Sequence, residues 1–173
     1  MDDPAEFGAI FDRHAAAIFR FAAHRLGRQA AEDVLAETFA RAFAARRRAY
    51  TVEGSLRAWL YKIASNLIAD EARRRERVAA ADARLRAREQ AFAADAGVAV
   101  VDPALLAALL RLREEEREVL LLFAWGELSY AEIAVVTGDP IGTVRSRLSR
   151  ARSHVRAELD ASASEVPCTT SKT

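Results

Sequence analysis

Cysteine is nearly absent from this chain. A single Cys, at position 168, excludes a disulfide scaffold, and no CxxC pair exists to hold zinc. Long apolar runs are missing as well: none approaches the roughly 18–20 residues that span a bilayer. Met1-Asp2-Asp3-Pro4 lacks the basic start of a signal peptide. His14, His24 and His154 are scattered and no glycine-rich phosphate loop is present, so no catalytic constellation or nucleotide cradle is evident. These absences leave the expectation of a cytoplasmic protein that is not an enzyme, with no cofactor, no metal and no membrane insertion. An excess of either charge is lacking too. With 26 basic and 25 acidic side chains in 173 residues the net charge is +1, which would argue against a nucleic-acid binder if the charge were spread evenly.

The charge is not spread evenly. Residues 41–75 carry nine basic and three acidic residues, and residues 141–156 carry five Arg and no acid. Acids elsewhere, such as Glu114-Glu115-Glu116, mask both blocks. A dense basic block is the footprint expected of phosphate contacts. A solvated helix face explains either block alone about as well; two blocks in two helical units favour DNA.

Ala, Leu, Arg and Glu, all good helix formers, fill the chain, and no stretch alternates usefully with period two, so the expected fold class is all-α. Phe7, Ile10, Phe11, Ile18 and Phe21 fit one face of a first helix that Gly27 is placed to end. A second helix is expected from about Ala30 to Arg47, with Ala31, Val34, Leu35, Thr38, Phe39, Ala42 and Phe43 facing inward. After a break at Tyr50 to Gly54, Ser55 can cap a third helix whose core face reads as Leu56, Leu60, Ile63 and Leu67. From about Arg75 to Val101 bulky apolar residues thin out, as in a linker, part helical or not. Asp102-Pro103 then suits a helix start, and Leu105 to Leu112 and Val119 to Trp125 supply the faces of one long or two short helices. The expected organisation is two small helical domains, 1–77 and 103–160, joined by a linker over 78–102 and followed by a disordered Ser/Thr-rich tail, 161–173.

The clearest local signal lies near the C-terminus. Ser129-Tyr130-Ala131-Glu132 reads as a capping box that starts a short helix to Thr137. Gly138-Asp139-Pro140 turns the chain, and a longer helix follows from Ile141 to about Leu159, buried along Val144, Leu148, Ala151 and Val155. Short helix, tight turn and basic second helix form the pattern of a helix-turn-helix, whose second helix enters the major groove. Ser146, Ser149 and Arg150 share an outer face with Arg145 beside them, and Arg147, Arg152 and Arg156 lie to the sides, where they suit phosphates. Arg can pair with guanine through two hydrogen bonds, and Ser with any base. A helical hairpin with a solubilising Arg face is the bland alternative.

On the third helix Lys62, Asn66, Asp70, Arg73 and Arg77 share one flank with Trp59, about a quarter-turn from the core stripe. An aromatic ring bordered by cations can stack on an unpaired base. Equally, Trp59 can be a core residue and Arg73-Arg74-Arg75 a solvated helix end.

Taken together, these residues resemble the extracytoplasmic function (ECF) sigma factors of bacteria. Ala31 to Phe39 (AEDVLAETF), with Trp59 to Asp70 (WLYKIASNLIAD) and the arginines at 73–75, is similar to the second conserved sigma region. Leu128 to Ala134 (LSYAEIA) and Gly142 to Arg152 (GTVRSRLSRAR) are similar to the fourth. The resemblance covers about residues 5–77 and 103–158. It implies a protein that binds core RNA polymerase and directs it to promoter DNA. By that resemblance Glu32, Asp33, Glu37 and Phe39 dock on the polymerase clamp. Trp59, Lys62 and Asn66 recognise and help open the −10 element, with one base held near Asn66, while Arg73, Arg74 and Arg75 lie by the DNA backbone. Thr143, Arg145, Ser146, Arg147, Ser149 and Arg150 meet the −35 duplex. An anti-sigma factor that covers the DNA-binding surfaces is a further implied partner.

Some positions depart from the pattern. Leu112-Arg113-Glu114-Glu115 stands where many relatives have Pro and Gln, which leaves open whether the helix breaks there. Ser149 and Ala36 replace larger and more polar residues, respectively. A stand-alone helix-turn-helix regulator would explain residues 128–158 but would leave the first domain without a role. Cys168 has no basic neighbour in sequence other than Lys172 to activate its thiol.

Overall fold

In a computed structural model the chain is described over residues 4–46, 55–82 and 102–164. Seven α-helices and no strand occur among them: α1 (Pro4–Leu26), α2 (Arg28–Ala45), α3 (Leu56–Asp82), α4 (Pro103–Arg111), α5 (Glu114–Ala124), α6 (Tyr130–Thr137) and α7 (Ile141–Ser164). Helices α1, α2 and α3 pack mutually, α7 packs on α4, α5 and α6, and α3 also packs on α6. The architecture is therefore two small helical units in direct contact. No helix among the described residues is long and apolar enough to cross a membrane.

Gly27 alone separates α1 from α2. Ile18, Phe21 and Ala22 of α1 and Ala31, Val34, Thr38, Phe39 and Ala42 of α2 are buried between the two helices and α3. The inward face expected of α2 holds except at its end, where Phe43 is 40% exposed. Phe43 instead packs edge-on against Phe7, with ring centroids 5.1 Å apart, and carries the Arg46 guanidinium 4.1 Å above its ring. Helix α3 departs further. Its buried residues are Ala58, Leu60, Tyr61, Ala64, Ser65 and Ile68, whereas Leu56, Ile63 and Leu67 are only partly covered. The reason is that α3 has partners on two sides, and the small Ala58, Ala64 and Ser65 allow them to approach closely. The helix also continues to Asp82, five residues into the expected linker. Residues 83–101 lie outside the described set.

In the C-terminal unit Asp102 caps α4 by accepting from the Ala104 N–H at 2.9 Å, with Pro103 in the first turn. The helix does break after Arg111. Leu112 and Arg113 are extended, Leu112 is buried as a plug, and α5 begins on Glu114, Glu115 and Glu116. Three carboxylates at a helix N-terminus are favoured by the unpaired N–H groups there, which fixes the restart. Val119, Leu121, Leu122, Leu128, Ile133, Val136, Val144, Leu148 and Ala151 form the core of this unit. Gly126 in the α5–α6 turn is required: a Cβ there would lie 2.5 Å from the Leu122 carbonyl oxygen. Helix α7 runs to Ser164, so residues expected to start a disordered tail are helical; residues 165–173, including Cys168, lie outside the described set.

Candidate nucleic-acid interface

The helix-turn-helix is built as its sequence suggests. The Ser129 hydroxyl accepts from the Glu132 N–H at 3.3 Å, and Glu132 Oε2 accepts from the Ser129 N–H at 2.8 Å, closing the capping box. Gly138 takes φ +80 at the end of α6, a conformation that L side chains rarely adopt. Val144, Leu148 and Ala151 bury one stripe of α7, with Val155 partly buried beyond them, and the opposite face stays open.

On that open face the predicted −35 residues divide. Arg145, Ser146, Ser149 and Arg150 are exposed, and Thr143 is half-buried. Arg145 sits 5.9 Å from the Tyr130 ring centroid, and Arg150 Nε donates to Glu116 Oε1 at 2.9 Å. Ser146 donates back to the Thr143 carbonyl at 2.9 Å. Arg147 is placed differently: it is partly buried and its guanidinium pairs with Asp139 in the turn. It braces the α6–α7 corner, because its place in the helix turns it toward that corner. Arg152 lies 4.4 Å over the Phe123 ring, beside Arg145 and Arg156 in a shallow groove along one flank of α7.

The predicted −10 residues on α3 are in a different situation. Asn66 is exposed. Trp59 is partly buried and packs against the core, so it has a structural part in the fold. Lys62 Nζ donates to the Val136 carbonyl near the C-terminal end of α6 at 2.6 Å, which places it in a contact between the two units. Arg73 pairs with Asp70, and Arg74 and Arg75 both reach Glu71, at 2.7 and 2.8 Å. Those bonds, Arg74's first, hold the Glu71 carboxyl at about 2. Arg75 also donates to the Leu26 carbonyl at 2.8 Å, so it caps α1 as well as ending the basic run.

Lys62 is one member of a larger clasp that sequence reading missed. Ser55 donates to Glu132 Oε1, and Arg57 pairs with Glu132 Oε2 at 3.3 Å. Ser65 donates to Glu118 Oε1 at 2.5 Å, and Arg25 pairs with Glu114 at 2.7 Å and Glu118 at 3.0 Å. His24 stacks on Trp125 with centroids 3.8 Å apart. Burial, and then Arg20, push the His24 pKa down, which keeps the ring neutral in this stack. Helix α6 therefore covers part of α3, while α7 faces away from it.

Of the predicted polymerase-docking residues, Glu32, Asp33 and Glu37 are exposed on α2, with Glu32 3.5 Å from Arg28 and Glu37 2.6 Å from Arg41. Phe39 is placed differently. It is buried and packs on Phe7 and Phe11, with centroids 6.2 and 4.7 Å away, so it supports that face from beneath. Its position follows from the same periodicity that buries Val34 and Ala42. Among the described residues no cluster of His, Cys, Asp and Glu could hold a metal ion.

Comparison with known proteins agrees with this architecture. Residues 10–78 match the sigma-70 region 2 family and residues 103–155 match sigma-70 region 4. The ECF RNA polymerase sigma factor SigL of Mycobacterium tuberculosis is 36% identical over 154 residues, covering 87% of each chain. SigW of Bacillus subtilis, also an ECF sigma factor, is 30% identical over 171 residues, covering 91% of this chain and 90% of its own. Among solved structures, the sigma factor RpoE of Bartonella quintana, in complex with the anti-sigma factor NepR, superposes with a TM-score of 0.73 at 26% identity, over 90% of this chain and 97% of that one. CnrH in complex with the cytosolic domain of CnrY gives 0.67 at 27%, over 92% and 91%. The chain belongs to the ECF sigma factors. It is a transcription-initiation protein with a DNA-binding region 4.

Proposed function

We propose that this protein binds core RNA polymerase and directs it to promoters by reading a −35 duplex with α7 and a −10 single strand with α3. The observation that carries this reading is the outer face of α7. Arg145, Ser146, Ser149 and Arg150 project from a helix fixed by a capping box, a left-handed glycine turn and a buried stripe, an arrangement suited to major-groove readout. Reconstitution with core polymerase tests it: promoter-specific initiation is expected, and tight duplex binding without holoenzyme formation would instead favour a stand-alone regulator. Within that assay Arg150→Ala is expected to cost about 1–3 kcal/mol of −35 discrimination, measured across duplexes altered one base at a time.

Polymerase docking falls to the exposed acids of α2. Asp33→Ala with Glu37→Ala is expected to lower affinity for core polymerase by about tenfold while helicity is unchanged. Circular dichroism beside a binding titration checks this, and a loss of helicity would make these residues structural.

The clasp supports a resting state in which part of the −10 surface is withheld. Lys62 is engaged by α6, so its use in base capture requires that contact to open. Similarity to RpoE, whose structure was solved with the anti-sigma factor NepR, supports an anti-sigma partner for this chain as well.

A further inference from the structure

Arg150, on the outer face of α7, is held by an acid from another helix. We propose that Glu116 is a positioning residue for −35 recognition, aiming the Arg150 guanidinium at its base; the inference rests on the reading of α7 as the recognition helix. The pair joins α5 to α7 across 34 residues of sequence. Its two ends are unequal: the Glu116 side chain is 15% exposed, whereas that of Arg150 is 60% exposed. One end is thus anchored in the domain and the other is presented to the outside. The contact uses the Nε–H of Arg150 at 2.9 Å, which leaves the terminal Nη1–Nη2 fork outside that hydrogen bond. That fork is the part of the side chain that can pair end-on with guanine O6 and N7.

The exposed Arg150 end of the pair adds little to stability by itself, although the covered Glu116 carboxylate gains from having a cation beside it. Attraction to DNA does not account for the contact: a carboxylate beside a DNA-binding helix repels phosphate, so Glu116 lowers general affinity for DNA. It sits in a recess with Arg113, Ser149, Ser153 and His154 on the flank of α7 opposite the Arg152 groove. An acid kept among cations at this point makes sense if it restricts one of them. Pre-ordering a long side chain removes rotamer entropy that binding would otherwise have to supply. The carboxylate therefore exchanges affinity for every sequence against preference for one.

The experiment uses holoenzyme reconstituted from core polymerase and full-length variants, with duplexes selected by the wild-type holoenzyme from a library randomised over the −35 element. In Glu116→Ala, discrimination at the base read by Arg150 is expected to fall about two- to tenfold while affinity for unrelated duplex stays equal or rises. Glu116→Gln, which keeps an oxygen acceptor for Nε, is expected to restore most of the discrimination. If Arg150→Ala loses the base preference and Glu116→Ala keeps it, the positioning role is overturned and the reading of α7 survives. If Arg150→Ala leaves every preference unchanged, that reading fails at this residue and the inference falls with it. A uniform loss at all −35 positions, unrescued by Gln, would make Glu116 a folding residue and also overturn the proposal.

Discussion

Glu132→Ala is expected to destabilise the closed protein by about 2–4 kcal/mol at neutral pH, a loss that shrinks as the solution is acidified. The side chain completes the capping box of α6 and also receives Ser55 and Arg57 from the other unit. Against the cost of burial, the hydrogen bonds from Ser55 and Ser129 and the nearby Arg57 charge hold its carboxyl down at about 2, against an ordinary 4.5. A carboxyl depressed on folding stabilises fully above its ordinary range, and that stabilisation drains away as pH falls toward the depressed value. The difference between wild type and variant should therefore be present at pH 7 and nearly gone by about pH 2. His24 lowers the stability of both proteins alike on acidification, earlier in the titration, and leaves their difference unchanged. Its lowered pKa means that the neutral ring is favoured in the stack on Trp125, so acidification below its ordinary 6.5 costs stability. Urea unfolding of both proteins across pH checks this, and a pH-independent difference would show that the carboxylate's charge has no part in the clasp.

Tyr61→Ala should be more damaging still, at about 3–5 kcal/mol. The ring is 1% exposed, meets Phe21 edge-on at 5.3 Å and abuts the α5–α6 turn, where a Cβ on Gly126 would lie 3.2 Å from its Cζ. The ring thus belongs to both cores. Its hydroxyl, by contrast, is buried without a hydrogen-bond partner, and burial pushes its pKa up to about 12. Removing an unpaired polar group from such a place is stabilising, so Tyr61→Phe is expected to gain about 1 kcal/mol. The same urea experiment separates the two effects. A Tyr61→Phe protein less stable than wild type would show that the hydroxyl is satisfied after all.

How much of this was legible in the sequence depends on the range of the interaction. The capping box, the Gly138 turn, the Asp102 cap and the Val144–Leu148–Ala151 stripe are decided within a few residues, and each stands where the local pattern puts it. The faces of α3 were misread because periodicity counts large aliphatics, whereas this helix is packed by Ala58, Ala64 and Ser65 on two sides at once. Arg147 and Phe39 carry side chains of the expected kind, but neighbours from the turn and from α1 claim them first. The clasp was invisible for a different reason. Ser55 and Glu132 are 77 residues apart, Arg25 and Glu114 are 89 apart, and local pattern assigns Ser55 and Glu132 only to capping their own helices until the fold brings the pairs together. For the outer face of α7 the residue types were readable but their restraints were not: nothing local ties Arg150 to Glu116.

One carboxylate begins α6 and also fastens the two units together. Selection for a well-formed helix therefore preserves the fastening at no extra cost. A lineage that sought a permanently open protein could not discard Glu132 without weakening α6 itself. It would have to change the partners of Glu132, Ser55 and Arg57, or the remaining contacts such as Lys62–Val136, Ser65–Glu118 and Arg25–Glu114. Looseness in this protein should evolve around Glu132 rather than at it.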